Sequence, residues 1–364
     1  LATQLGLPGV AAQRARELAA FALLLRVPVV SLLRRESDGE SALAPSPLLE
    51  RLLLSLRREQ REAAVLPERH MPRRLALQPV VRPLPRLGRQ PELLPRQLSA
   101  TACEALRACP YRFHALVGLG LREADELDDA IEKRDVGTWL HAVLQRFHVE
   151  RGAMNDAPAD EAQLQAVADS VREEMGLLQA DFLPHALWFQ QLIPGYVAWL
   201  HKDEAAGAHF REGEVELKAQ PEELAGVGVS LRGRIDRLDG VYESGGHALR
   251  IVDYKASRPN DWRKRVKQPL EDTQLAFYAA LLQTARAEPP AGLHAAYLAL
   301  EGDKPSLVEH AQVGASAQQL LLGLADELGR IAAGEPLPAL GEEPACTYCE
   351  ARGLCRRDHW GDTP

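Results

Sequence analysis

Apolar positions recur at helical spacing over residues 10–26, and the β-branched run 27–33 that follows reads as a short buried strand. Leucines on one face predict a second helix over 48–61, after Pro45 and Ser46. Seven prolines from Pro67 to Pro95 then forbid a long helix or a central strand, because each withholds a backbone N–H, and the stretch reads as an extended linker. A new domain opens at Ser99, where Thr101-Ala-Cys-Glu104 fits a capping box and Pro110 ends or bends the short helix that follows. Helical periodicity returns over 137–149, 160–179 and 188–201. After Gly213 the texture turns to alternating or continuous apolar runs over 214–218, 227–234 and 249–254, separated by Gly-rich turns such as Glu243-Ser-Gly-Gly246. A helix over 273–287, a strand over 294–301 and a last helix over 315–333 complete an α/β pattern.

Composition narrows the class without naming a function. The 364 residues are 46% hydrophobic and 26% charged, which supports a sizeable core and excludes a disordered chain. The apolar stretch 19–33 is interrupted by Arg26 and Pro28 and falls short of a membrane span, and no secretory leader is evident, so a cytoplasmic protein without a membrane is expected. The chain begins at Leu1 rather than Met, which reads as a piece of something longer. Net charge is -8, yet residues 51–100 hold eleven Arg against four Glu, a local +7 that reads as a solvated face or a surface for phosphates, and the stretch Arg122 to Asp135 is mostly acidic. Of five cysteines, Cys346, Cys349 and Cys355 form C-x2-C-x5-C near the C-terminus. Three thiolates so close favour a metal or cluster over a disulfide framework, and a four-coordinate site needs one more ligand from elsewhere.

Two acidic positions fall at expected strand ends: Asp236 in Gly233-Arg-Ile-Asp-Arg-Leu-Asp239 and Asp253 in Ile251-Val-Asp-Tyr-Lys255. Strand alternation puts Asp253 and Lys255 on one face. Taken alone, an Asp-Tyr-Lys tripeptide is an ordinary surface pair. Two carboxylates and an ammonium converging on one patch instead make an oxygen-rich site for Mg²⁺ or Mn²⁺, suited to metal-assisted hydrolysis of a phosphodiester.

With Gln274-Leu-Ala-Phe-Tyr278 downstream and Gly137-Thr-Trp-Leu-His141 upstream, this ordered string resembles the PD-(D/E)XK nucleases of the RecB and AddB type. The resemblance implies a restriction-endonuclease-like core, a mixed central sheet flanked by helices. It implies His141, Asp236, Asp253 and the Tyr254 carbonyl as metal ligands, and Lys255 as the residue that orients or activates the nucleophile. Gln274 and Tyr278, at i and i+4 of one helix, would brace the site and touch the DNA strand. A family glutamate on the preceding strand corresponds to Glu214 or Glu216, with Glu214 preferred. Cys109, in Cys109-Pro-Tyr-Arg-Phe113, matches the first ligand of an AddB-type 4Fe-4S cluster completed by Cys346, Cys349 and Cys355, leaving Cys103 over. Structural zinc on the same four cysteines, or with His359 in place of Cys109, is the rival.

Beyond Lys255, the basic run Arg258, Arg263, Lys264, Arg265 and Lys267, interrupted by Trp262, reads as a solvated loop or as a rim that grips phosphates and stacks a base on Trp262. Residues 17–36 with Asp38-Gly39 and Pro45-Ser-Pro47 resemble, more loosely, the end of the helicase-like part of AddB-type proteins, although no Gly-x-x-x-x-Gly-Lys-Ser/Thr loop occurs. The expected organisation is therefore a small α/β helicase-like remnant over 1–65, a linker over 66–98 and a nuclease domain over 99–364 closed by a cysteine clasp. The expected activity is a Mg²⁺-dependent deoxyribonuclease, an exonuclease on single-stranded or frayed DNA ends. It would work with a partner subunit in an AddAB/RecBCD-like helicase-nuclease for double-strand-break repair and recombination. The alternatives are a CRISPR-associated exonuclease of the same fold and a DNA-binding scaffold that does not cut.

Overall fold

The computed structural model describes residues 9–37, 41–64, 79–86, 94–122, 131–152, 156–243, 246–288, 290–302, 304–343 and 345–361. The chain divides into two compact units, Leu1–Leu77 and Gln78–Pro364.

The first unit contains α1 (Val10–Leu24), α2 (Pro47–Ser55) and α3 (Arg58–Ala64), none with a buried residue. The Ser46 hydroxyl caps α2 and Pro47 occupies its first turn, where a missing N–H costs nothing. The single helix expected over 48–61 breaks at Leu56, which is extended. The strand expected over 27–33 does not form: the segment is irregular and exposed, Pro28 has no N–H to donate, and the described residues of this unit offer no strand to pair with. The α/β character expected of residues 1–65 is thus helical among the described residues, and Asp38 and Gly39 lie outside them.

In the second unit, residues 79–86 run alongside the C-terminal segment. Val80 N–H donates to the His359 carbonyl at 2.8 Å, and the Pro83 and Pro85 carbonyls accept from Ala339 and Leu337. This part of the Pro-rich stretch therefore belongs to the second unit, and 66–78 and 87–93 lie outside the described residues. Then come β1 (Gln97–Leu98), α4 (Ala100–Ala108), α5 (Pro110–Phe113), α6 (Lys133–Glu150), α7 (Ala157–Glu174) and α8 (Gln179–Ala205). The cap of α4 is Ser99, whose hydroxyl accepts from Ala102 N–H, so the capping box read at Thr101 sits two residues too late. α4 ends at Ala108, just before Pro110, and Pro110 also opens α5.

The remaining elements are β2 (Ala208–Ala219), α9 (Glu222–Ala225), β3 (Ser230–Glu243), β4 (Gly246–Lys255), α10 (Pro259–Val266), α11 (Thr273–Ala285), β5 (Gly292–Ala299), β6 (Ser306–Glu309), α12 (Val313–Ala332) and α13 (Arg352–Cys355). The strands form one mixed sheet in the order β1-β3-β4-β5-β6, with β2 antiparallel on β3. β4 and β5 are parallel, which requires the crossover that α10 and α11 provide. Alternation sends successive residues to opposite faces. Ile251, Ala295 and Tyr297 join a core with α4, α11 and α12, whereas Val252, Tyr254 and Leu298 join a second core with α6, α7 and α8. No helix among the described residues is long and apolar enough to cross a membrane.

Charges are buried on the α8 side of the sheet. Arg237 is fully buried, with Nε 2.6 Å from Asp239 Oδ1 and Nη1 2.8 Å from His148 Nε2. Arg250 meets Asp239 Oδ2 at 2.7 Å and also pairs with Asp203 on α8. Burial, then the nearby Arg237 charge, pushes the His148 pKa well below its usual value, which keeps the imidazole neutral and able to accept. Asp239 compensates two guanidinium groups at once. Replacing it by Ala leaves the fully buried Arg237 without a carboxylate, while Arg250 keeps Asp203, and the expected loss is about 3–5 kcal/mol of unfolding free energy, measurable by urea denaturation.

Candidate active site

β3 pairs with β4 only from Glu243 back to Arg237, opposite Val252. There the two strands part, although β3 continues to Ser230 against β2. Asp236 is therefore interior to its strand, not at the strand end, and stands at the end of a ladder. Its carboxylate takes over the work of that ladder, with Oδ2 accepting the Tyr254 N–H at 2.9 Å. Its other oxygen, Oδ1, lies 3.4 Å from His141 Nδ1 on α6.

Glu214 completes the group from β2, with Oε1 3.2 Å from the same His141 Nδ1. Its backbone has φ +51, in the left-handed region that non-glycine residues rarely adopt. The β2–β3 register pairs Gly213 with Arg237 and Val215 with Ile235, so the twisted residue is the one facing Asp236. Strain of this kind at a polar cluster marks a position over-determined by its surroundings. Glu216, the other candidate, is exposed and pairs with Arg232. The ligand atoms of His141, Glu214 and Asp236 lie within 4.8 Å of one another, a mixed imidazole and carboxylate set that could hold Mg²⁺ or Mn²⁺.

Asp253 is adjacent but outside that set. Its Oδ2 is 2.7 Å from Lys255 Nζ, and its Oδ1 accepts from Gln274 Nε2 at 2.8 Å, while the Gln274 oxygen accepts from Lys255 Nζ at 3.1 Å. Asp253, Lys255 and Gln274 thus close a three-membered ring between β4 and α11. α11 begins at Asp272, whose carboxylate caps Leu275 N–H and accepts from the Tyr297 hydroxyl at 2.7 Å. Tyr278, one turn after Gln274, has its phenol pKa raised by burial, then by Asp253 and Asp236. The Tyr254 side chain points into the α6–α8 core, with its ring edge-on to His141 at 6.0 Å between centroids. Arg234 is a residue the sequence reading missed: its Nε is 2.8 Å from Glu214 Oε2. The available signal was its place two residues before Asp236 on a strand.

Of the basic run, Arg258 pairs with Glu301, Arg263 donates to Asn260 and Ser306, and Lys264 and Lys267 are exposed. Arg265 instead turns inward to Glu104 and Asp272. Trp262 is half-buried, its Nε1–H bonded to the Ser257 hydroxyl and its ring against Tyr297.

Cys109, Cys346, Cys349 and Cys355 line one cavity, together with Tyr111 and Trp360; His359 is not among its lining residues. Burial raises the Cys355 thiol against a backbone hydrogen bond from Arg357, and the three other cysteines raise it further. Gly341 closes the cavity wall at φ +76, where a Cβ would fall 2.6 Å from the Trp360 ring. Cys103 is elsewhere, fully buried in the α4 core, with burial pushing its pKa up to about 12.

Burial, and then the Asp236 charge, raises Asp253 from 3.8 to about 7 despite Lys255. Burial opposes the charged form of His141, yet the hydrogen bonds that Asp236 and Glu214 accept from it carry its pKa from 6.5 to about 10. The two act oppositely on stability. An acid whose folded pKa is raised destabilises the fold increasingly as pH climbs from about 4 to about 7, whereas the His141 contribution is full below about 6.5 and lost as pH rises through about 10. In EDTA, Asp253→Asn is therefore expected to raise the thermal midpoint relative to wild type more at pH 8 than at pH 5. Thermal scans of both proteins at the two pH values check this.

Residues 97–356 match the family model described as the PD-(D/E)XK nuclease superfamily. A protein of Desulfitobacterium hafniense (strain DSM 10664 / DCB-2), the B subunit of an ATP-dependent helicase/deoxyribonuclease, is 28% identical over 224 residues, which cover 55% of this chain and 18% of that protein. Proteins of the same name from Moorella thermoacetica and Acetivibrio thermocellus are 30% identical over 191 residues and 26% identical over 213, covering 48% and 53% of this chain. The chain spans less than a fifth of the length of these relatives. The matched segment contains the carboxylate cluster, the Asp253–Lys255 pair and all four cysteines that line the cavity, and on this match the chain belongs to the PD-(D/E)XK nuclease superfamily.

Proposed function

We propose that the chain is the nuclease portion of an AddB-like subunit, hydrolysing DNA phosphodiesters in a helicase-nuclease that processes broken ends. The observation that carries this reading is the convergence of His141, Glu214 and Asp236 beside Asp253 and Lys255. The carboxylates of the set are hard and anionic, so a divalent cation fits it, with His141, Glu214, Asp236, Asp253 and the Tyr254 carbonyl as its holders. When bound, such an ion polarises the scissile phosphate and acidifies the attacking water.

The protein's own groups do the rest. Lys255, held by Asp253 and Gln274, presents an ammonium where it orients the attacking water and meets charge developing on the phosphate. Gln274 keeps both Asp253 and Lys255 in place by donating to one and accepting from the other. Tyr278 flanks this pair toward the DNA strand. Arg258, Arg263, Lys264 and Lys267 provide a positive rim for phosphates, leaving out Arg265, which is engaged internally. Attack on phosphorus breaks the bond to the leaving oxygen, and the proton lost by water ends on that oxygen or in solvent.

The four cysteines fit a 4Fe-4S cluster that staples Cys109, near the start of the domain, to the C-terminal segment, as a structural clasp. Residues 1–65 are read as the end of a helicase-like part, and the substrate as single-stranded or frayed ends delivered with a partner subunit.

The test is cleavage of end-labelled single-stranded and duplex DNA with Mg²⁺ or Mn²⁺, wild type beside Lys255→Ala, on protein purified without oxygen. Metal-dependent cutting that falls by about 10²–10³-fold in the variant is expected, a loss of the size seen when one preorganised donor is removed from a transition state. A variant that cuts at the wild-type rate would sink the assignment of the site. The anaerobic protein is expected to be brown and to lose its visible absorbance in Cys349→Ser, with iron and sulfide analysis distinguishing a cluster from zinc.

A further inference from the structure

Lys255 is the last residue of β4, and its four-carbon stem has many rotamers to lose before the ammonium can serve at a fixed point. Asp253 and Gln274 supply two polar contacts. The structure adds a third surface, an aromatic one. Lys255 Nζ lies 5.0 Å from the centre of the Trp262 ring and 5.5 Å from that of Tyr297, both within the range at which an ammonium is attracted to an aromatic face. The two rings brace each other, 4.7 Å apart and tilted by 42°.

Each ring is also pinned at its polar end. Trp262 Nε1–H donates to Ser257 Oγ at 2.8 Å, and the Tyr297 hydroxyl donates to Asp272 Oδ1 at 2.7 Å. Asp272 caps α11, the helix that carries Gln274. The contacts therefore form a closed circuit, from Lys255 through the rings to the start of α11 and back through Gln274. The indole is also occupied: Tyr297, Lys255 and the Arg265 guanidinium, 5.8 Å from the same ring, all lie against it. Such a ring is poorly placed to stack a nucleobase.

Resting on the reading of Lys255 above, we propose that Trp262 is a positioning residue for the hydrolytic step, its indole face and that of Tyr297 fixing the Lys255 ammonium against Asp253 and Gln274. It acts through the lysine and not through the DNA. The basic run downstream of the Asp-Tyr-Lys tripeptide thus carries an aromatic that looks inward.

The test measures, on the full chain, the cleavage rate at saturating end-labelled DNA with Mn²⁺ and the DNA affinity with Ca²⁺ in its place. Trp262→Leu is expected to slow cleavage about tenfold with affinity unchanged, and Trp262→Phe, which restores an aromatic face, to recover most of the rate. A fluorinated tryptophan placed at position 262 alone weakens the face at nearly constant shape, and it too is expected to slow cleavage even if the leucine variant folds poorly. Equal loss in the Leu and Phe variants, no effect of fluorination, or weakened DNA binding at an unchanged saturating rate would each overturn the proposal, the last in favour of base stacking. Failure of the underlying reading is separately visible: there Lys255→Ala itself cuts normally, whereas here Lys255→Ala is inactive and only the Trp262 variants are unaffected.

Discussion

Strands that stop pairing leave backbone donors behind, and in this protein that geometric necessity generates the site. Where β3 and β4 part beyond the Arg237–Val252 pair, the orphaned Tyr254 N–H is met by one oxygen of Asp236. That bond fixes the carboxylate and aims its other oxygen at His141. The notch left by the diverging strands also brings Asp236 and Asp253 close enough for each to feel the other's charge, which burial then magnifies. A divalent cation is the natural neutraliser of such crowding, so the arrangement is destabilising alone and useful when filled.

The surroundings absorb that cost. The sheet is packed on both faces, and the parallel β4–β5 pair at its centre is buried along residues 250–254 and 295–299. On one face α6 supplies His141 while its apolar side, including Trp139, Leu140 and Phe147, is locked into the core. On the other, α11 supplies Gln274 and Tyr278 between buried neighbours. The doubly bonded Asp239, between Arg237 and Arg250, ties β3 and β4 together just before they part. Rigid elements on three sides thus hold groups that repel one another.

Much of this was legible from residue order because its signals are local. The period-2 pattern around Asp236 and Asp253, the amphipathic helix bearing His141 and the Gln-x-x-x-Tyr spacing each depend on a few neighbouring residues, and each falls in the element it implied. Short or strongly polar elements were missed. β1 has two residues and β6 four, too few for a period to declare itself, and α10 is dominated by charge. Residues 27–33 misled for the opposite reason: β-branched residues express a strand only where another strand offers its edge.

Sequence by itself determined which chemistry was available: two aspartates, a lysine, a histidine, a glutamine and clustered thiols in a fixed order along the chain. It did so because alternation and helical spacing act over a few residues. Tertiary structure alone decided that Glu214 rather than Glu216 reaches His141, since that choice rests on a left-handed backbone opposite Asp236. It also decided that Cys109 shares a cavity with cysteines over two hundred positions away, and that Trp262 faces Lys255 and Tyr297 instead of solvent. Each of these depends on which elements the fold brings side by side, and long-range packing of that kind leaves no periodic trace in the segments it joins.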